Sequence, residues 1–124
     1  MAKTIMVVDD SATMRMSLKS GLELSGFKVE CAGDGLLALN QIKSGVKPDL
    51  IIADINMPNM GGLEFMKALR ALPGFRFTPI LALTTESKQE KKDEAKKYGA
   101  TGWLVKPVTG PDLVKVIKQV LPGA

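Results

Sequence analysis

Five short apolar runs alternate with five amphipathic stretches along this chain, and that alternation limits the fold more than any other feature. The runs read as strands at 4–8, 27–32, 49–53, 79–83 and 101–105. The stretches between them read as helices at 11–25, 35–44, 61–72, 87–98 and 110–121. Repeated strand–helix units build a parallel sheet with helices on both faces. The first helix opens at Asp10-Ser11, stops at Ser25-Gly26 and carries Met14, Leu18 and Leu22 as its apolar stripe. The last starts after Gly110-Pro111, repeats Leu113, Val116, Ile117 and Val120 at helical spacing, and ends at Pro122-Gly123.

Strand composition orders the sheet. Lys28-Val29-Glu30-Cys31-Ala32 alternates polar with apolar, which suits an edge, whereas the first, third and fourth runs are apolar throughout and suit the centre. Thr101 and Gly102 weaken the fifth run and place it at the other edge. The order 2-1-3-4-5 satisfies these hints and the right-handed crossover rule. The expected class is therefore α/β, a doubly wound five-stranded parallel sheet. In the fourth helix, residues 88–97 are almost all charged, with only Ala95 and Tyr98 to bury, so this helix is expected to be weakly docked.

At 124 residues, with no linker, repeat or low-complexity segment left over, 1–124 is expected to form a single domain. Nothing resembles a signal peptide, and no apolar run approaches the ~20 residues that cross a bilayer, so a cytoplasmic protein without membrane contact is expected. The one cysteine, Cys31, excludes an internal disulfide and is expected to be a buried small apolar residue. There is no histidine. His-based acid–base catalysis, the triads that need it and most zinc sites are excluded. A net charge of +4 raises nucleic acid as a partner. So mild an excess is read as solubility, and no nucleic acid is expected.

Polar residues end three of the runs: Asp9-Asp10, Asp54 and Lys106-Pro107. In an open parallel sheet, ligand sites form outside the carboxyl ends of the strands. An isolated Asp9-Asp10 also reads as a helix cap with a solvated acid. Asp54 changes the balance, because it ends a strand expected beside the first, bringing its carboxylate toward Asp10. Two anions 4 Å apart repel by roughly 4 kcal/mol at an effective dielectric near 20, so three carboxylates together call for a cation. Mg²⁺ fits an all-oxygen ligand set that must keep places for water or phosphate. Lys106 would offset charge at rest and pair with a phosphoryl oxygen. Pro107 invites a cis Lys106–Pro107 bond. Thr84 follows the fourth run, where its hydroxyl either serves a phosphoryl oxygen or caps the next helix. Gly33-x-Gly35 is too short to count as a phosphate-binding fingerprint.

Taken together, these residues resemble the receiver domain of two-component response regulators over essentially the whole chain. The matching elements are Val7-Val8-Asp9-Asp10-Ser11, 53–60 (Ala-Asp-Ile-Asn-Met-Pro-Asn-Met), Leu83-Thr84 and Lys106-Pro107. The sequence is most similar to the stand-alone chemotaxis regulators, which have no output domain. The resemblance implies a flavodoxin-like fold and a phosphorylation-activated switch. Asp54 would be the nucleophile that takes a phosphoryl group from a partner histidine kinase. Asp10, Asp54 and the backbone carbonyl of Asn56 would ligate Mg²⁺, with Asp9 acting through water. Thr84 and Lys106 would hold phosphoryl oxygens, and the chain would catalyse its own Mg²⁺-dependent phosphorylation and dephosphorylation. Trp103 matches an aromatic switch position coupled to Thr84, although plain core packing is an equal reading. Residues 88–98, Trp103 and 115–121 would form the surface for a target such as the flagellar motor switch. A phosphatase partner and a monomeric state are further expectations.

The sequence departs from the family pattern at three places. Trp103 replaces the usual Tyr or Phe, Gly61 stands where Asp often precedes Gly62, and Thr85 follows Thr84 where Ala or Ser is common. Polar Asn56 and Glu86 occupy positions that influence attack by water, which suggests a short-lived phosphorylated state. Alternative functions are a relay receiver that passes its phosphoryl group to a histidine phosphotransfer protein, or a constitutive adaptor. A hydrolase working through an aspartyl phosphate lacks its second carboxylate, since Asn56 stands two residues after Asp54.

Overall fold

The computed structural model describes residues 2–85, 89–121 and 123. Strands β1 (Thr4–Val8), β2 (Lys28–Ala32), β3 (Leu50–Asp54), β4 (Ile80–Thr84) and β5 (Gly102–Val105) alternate with five helices. These are α1 (Ala12–Leu24), α2 (Gly35–Lys43), α3 (Gly62–Arg70), α4 (Gln89–Lys97) and α5 (Gly110–Val120). All strand pairs are parallel, and the order is β2-β1-β3-β4-β5, the doubly wound α/β arrangement. The third and fourth strands lie one residue later than the sequence pattern suggests. Asp54 and Thr84 are thus the last residues of their strands, held by pairing with Leu83 and Val105.

Side chains alternate across a strand, so the central strands feed two cores. Met6, Val8, Ile51, Ala53, Ile80 and Ala82 pack with Leu39, Phe65, Leu69 and Ala95 from α2, α3 and α4. Ile5, Val7, Leu50, Ile52, Leu81 and Leu83 pack with Leu18, Leu22, Leu113 and Ile117 from α1 and α5. Burying one such Leu or Ile contributes about 1.5–3 kcal/mol, so these two layers supply the main stabilisation. Two glycines let α1 and α5 approach: a Cβ on Gly21 would lie 3.1 Å from the Gly110 Cα. Gly35 plays a similar part where α2 meets α3, since a Cβ there would stand 2.8 Å from that of Phe65. Close packing therefore explains Gly35, while a Cβ on Gly33 would meet nothing nearer than 3.5 Å.

The end residues of the helices behave as their chemistry dictates. Ser11 caps α1 by accepting from the Met14 amide at 3.2 Å, and Thr109 caps α5 by accepting from Asp112 at 3.2 Å. Within α4 only Ala95 is fully buried, in keeping with a lightly anchored helix. Glu86 and Lys88, to which the sequence reading assigned roles, lie outside the described residues.

Cys31 departs from expectation. It is half-buried, because β2 is an edge strand and its side chain lines an open cleft with Ala12, Arg15, Met16 and Lys19. Burial still pushes its thiol above the ordinary range, against the opposing pull of Lys19 and Arg15, so it is held as the unreactive thiol. No helix among the described residues is long and apolar enough to cross a membrane.

Candidate functional site

Strands β1 and β3 are neighbours, and their carboxyl ends put Asp9, Asp10 and Asp54 side by side. One oxygen from each carboxylate lies within 4.8 Å of the others. Their environments differ. Asp9 is wholly buried and Asp54 is 6% exposed, whereas Asp10 is open to solvent. Asp9 is held by the start of α1: the Ser11 amide donates to its Oδ1 at 2.9 Å. Asp54 Oδ1 accepts from the Asn56 amide at 3.2 Å, which turns the chain beyond β3 across the pocket.

Lys106 follows β5 and reaches back over the end of β4. Its Nζ donates to Asp54 Oδ2 and to Asp9 Oδ2, each at 3.0 Å. The Lys106 amide donates to the Thr84 carbonyl at 2.7 Å, which joins lysine and threonine backbones at one edge. The Lys106–Pro107 bond is cis. Thr84 is buried at 2% exposure, at the end of β4.

The charges do not balance within the pocket, since the one ammonium pairs with Asp9 and Asp54 and leaves Asp10 without a cation among the described residues. Burial pushes the Asp54 carboxyl above its ordinary range, and the hydrogen bond and charge of Lys106 recover only part of that shift. Burial pulls the Lys106 ammonium down, but Asp54 and then Asp9 outweigh it, and its net direction is up. The donor set is all oxygen, closely spaced, and has one face open at Asp10. These features fit a hard divalent cation that keeps part of its water, and Mg²⁺ meets that description.

Close packing fixes the pocket's lower wall. A Cβ on Gly62 would overlap the Asp54 carbonyl oxygen and stand 2.9 Å from the Ile55 Cα, so α3 can begin this near to β3 only with glycine there. The Gly62 amide donates to the Ile55 carbonyl at 2.9 Å.

Trp103, on β5, lies half-buried against the core cluster that includes Ala95. Its indole Nε1 is buried and has no hydrogen-bond acceptor among the described residues. It lines a cleft of about 280 Å³ beside Gln89, Lys92 and Lys96 of α4.

Two supporting residues had no assigned role in the sequence reading. Arg15 Nη1 donates to the Asp9 carbonyl at 2.6 Å, fixing the turn that carries both acids. A basic residue one helical turn beyond Ser11 was the available signal. Asn59 has φ 63°, in the left-handed region that Asn tolerates, and its Nδ2 donates to Asp34 Oδ2 at 2.9 Å. Asp34 also caps α2 by accepting from the Leu37 amide at 2.9 Å, and the Asn59 bond, then that cap, hold its carboxyl below the ordinary range. The loop after Asp54 is thereby tied to α2.

Comparison with known proteins agrees with this geometry. The response regulator receiver domain profile matches residues 5–118. Chemotaxis protein CheY-3 of Vibrio cholerae is 38% identical over 117 residues, covering 94% of this chain and 89% of the relative. CheY of Pseudomonas aeruginosa is 37% identical over 117 residues, covering 94% of both chains. Among solved structures, chemotaxis protein CheY4 of Vibrio cholerae superposes with a TM-score of 0.93 at 45% identity, over 98% of this chain and 100% of that one. This chain belongs to the response regulator receiver domain family, and its close relatives are CheY-type chemotaxis regulators.

Proposed function

We propose that this protein is a phosphorylation-activated chemotaxis switch, with Asp54 as the phosphoacceptor. The observation that carries the reading is the shared position of Lys106, 3.0 Å from both Asp9 and Asp54 inside a three-carboxylate pocket. An Asp54 oxygen attacks phosphorus in the phosphohistidine of a partner kinase. The new bond is P–O, the broken bond is P–N, and the imidazole departs as the leaving group. Asp10, Asp54 and the Asn56 carbonyl would hold Mg²⁺, with Asp9 acting through water. When bound, Mg²⁺ offsets the carboxylate charge and gives a phosphoryl oxygen a ligand position.

After transfer, Lys106 keeps its bond to Asp9 and pairs with a phosphoryl oxygen, while the Thr84 hydroxyl donates to another. Thr84 lies on β4 beside β5, so its movement is felt at Trp103 and α4. The single buried residue of α4 favours a small energy gap between two placements of that helix. The altered α4–β5 surface would then bind the downstream target, for which the chemotaxis relatives suggest a flagellar motor switch protein. A monomeric, cytoplasmic regulator, served by a kinase and a phosphatase, completes the reading.

Transfer from an autophosphorylated chemotaxis kinase, followed by capture with the motor switch protein, tests it. Capture of the phosphorylated form alone is expected. Passage of the phosphoryl group to a histidine phosphotransfer protein, without motor capture, would replace this reading with that of a relay.

A further inference from the structure

A second charged feature lies at the opposite ends of the strands from the acidic pocket. Lys67, Arg70, Arg76, Lys97, Tyr98 and Gly99 line an open cleft of about 620 Å³, within the range of small-molecule sites. Four of the six are cations and none is an acid. No carboxylate among the described residues pairs with any of the four. Glu64 and Glu94 line an adjoining hollow that shares Lys67 and Tyr98, and they do not line this one.

Arg70 forms a fixed floor. Its Nη1 donates to the carbonyls of Phe75 at 2.9 Å and Thr78 at 2.6 Å, and its Nη2 donates to Gly99 at 2.6 Å. Its charge is thus anchored by dipoles without being cancelled. The C-terminal ends of α3 and α4 meet here, and each helix end carries roughly −0.5 charge, which offsets about one of the four cations. Counting the cleft lining alone, an excess of about three positive charges remains. Two rings stand nearby: Tyr98 in the lining, and Phe77, which is 86% exposed with the Arg76 guanidinium 5.6 Å from its centroid.

We propose that this cleft is a binding site for a compact polyphosphate, held by Lys67, Arg70, Arg76 and Lys97. Three or four adjacent negative oxygens match the uncancelled charge, and guanidinium and ammonium groups are the side chains that recognise phosphate. Free inorganic polyphosphate and the phosphates of a nucleotide present the same chemistry. A nucleotide would add stacking of its base on Tyr98 or Phe77.

The test is calorimetry on the full chain without divalent metal, using inorganic tripolyphosphate, then ATP, then a Glu-rich peptide. Amide NMR locates each ligand. One saturable site is expected, with shifts at Lys67, Lys97 and Gly99 and none at Asp10 or Asn56. Lys67→Gln/Lys97→Gln should weaken binding at least tenfold, while Asp54→Asn leaves it unchanged, which separates this site from the phosphoacceptor pocket. Tighter binding of ATP than of tripolyphosphate identifies a nucleotide, and equal binding identifies the inorganic anion. The proposal is overturned by absent saturation, by unchanged affinity in the double variant, by shifts confined to the acidic pocket, or by preference for the peptide.

Discussion

Lys106 Nζ reaches Asp54 Oδ2 at 3.0 Å by crossing the end of β4, and the same atom lies 3.0 Å from Asp9 Oδ2. One ammonium therefore ties the ends of β1, β3 and β5 together. Removing it leaves Asp9 wholly buried without a countercharge. Lys106→Ala should lower stability by about 2 kcal/mol, read as a fall in the urea midpoint at unchanged slope.

Asp10 is the exposed member of the acidic trio and lies beyond the reach of that ammonium. At the 4.8 Å limit of the cluster, one pair of like charges costs about 1 kcal/mol in a water-like dielectric. Asp10→Asn should therefore stabilise the metal-free chain by up to that amount. Magnesium should raise the melting temperature of the wild type, and raise that of the variant much less. Equal rises in calorimetric scans would remove Asp10 from the ligand set.

The two titrating groups work in opposite senses. Lys106 has a folded pKa above its ordinary value, so its pairing stabilises the fold below the ordinary lysine pKa and is lost as pH climbs through the raised one. Asp54 is also raised, which for a carboxyl means a penalty at neutral pH. That penalty is complete above the raised pKa and disappears as pH falls below the ordinary aspartate value. Asp54→Asn should be more stable than wild type near neutrality without divalent ions, and the two should converge in acid. Urea titrations across about pH 3 to 8 measure the difference.

Gly62 has no room for a methyl group. Gly62→Ala must push α3 away from the Asp54 carbonyl, at about 1–3 kcal/mol, and shift the Asn56 carbonyl with it. The expected signature is a loss of magnesium affinity accompanying the loss of stability. An unaltered affinity would show that the loop moves independently of α3.

Trp103 is the sole tryptophan, so its emission reports its own surroundings. Phosphorylation should change that emission, because Trp103 packs with Ala95 of α4 at the surface expected to rearrange. Acetyl phosphate with magnesium should produce the change in wild type and none in Asp54→Asn.

Much of this architecture was legible because period-two and helical patterns were unambiguous. The apolar β1, β3 and β4 could only be central, and alternation in β2 placed it at an edge. Strand ends were legible only to within a residue, since Asp54 and Thr84 extend their ladders through backbone bonds that side-chain polarity conceals. Cys31 was misjudged because an edge strand buries one face well and the other only partly. The Arg15 contact left only a weak local signal, a basic residue one turn into α1, and the Asn59 contact left none, since it joins residues 25 positions apart. The cleft at Lys67 and Lys97 was hidden likewise, its cations being scattered over 31 positions from 67 to 97.

On the proposed function, one carboxylate, activated within a metal-dependent acidic pocket, takes up phosphate. Intact-mass spectrometry after incubation with acetyl phosphate and magnesium tests it most directly. A single phosphoryl adduct is predicted, absent with chelator and absent in Asp54→Asn. An adduct that persists in Asp54→Asn, or one that forms equally well with chelator, would contradict the account.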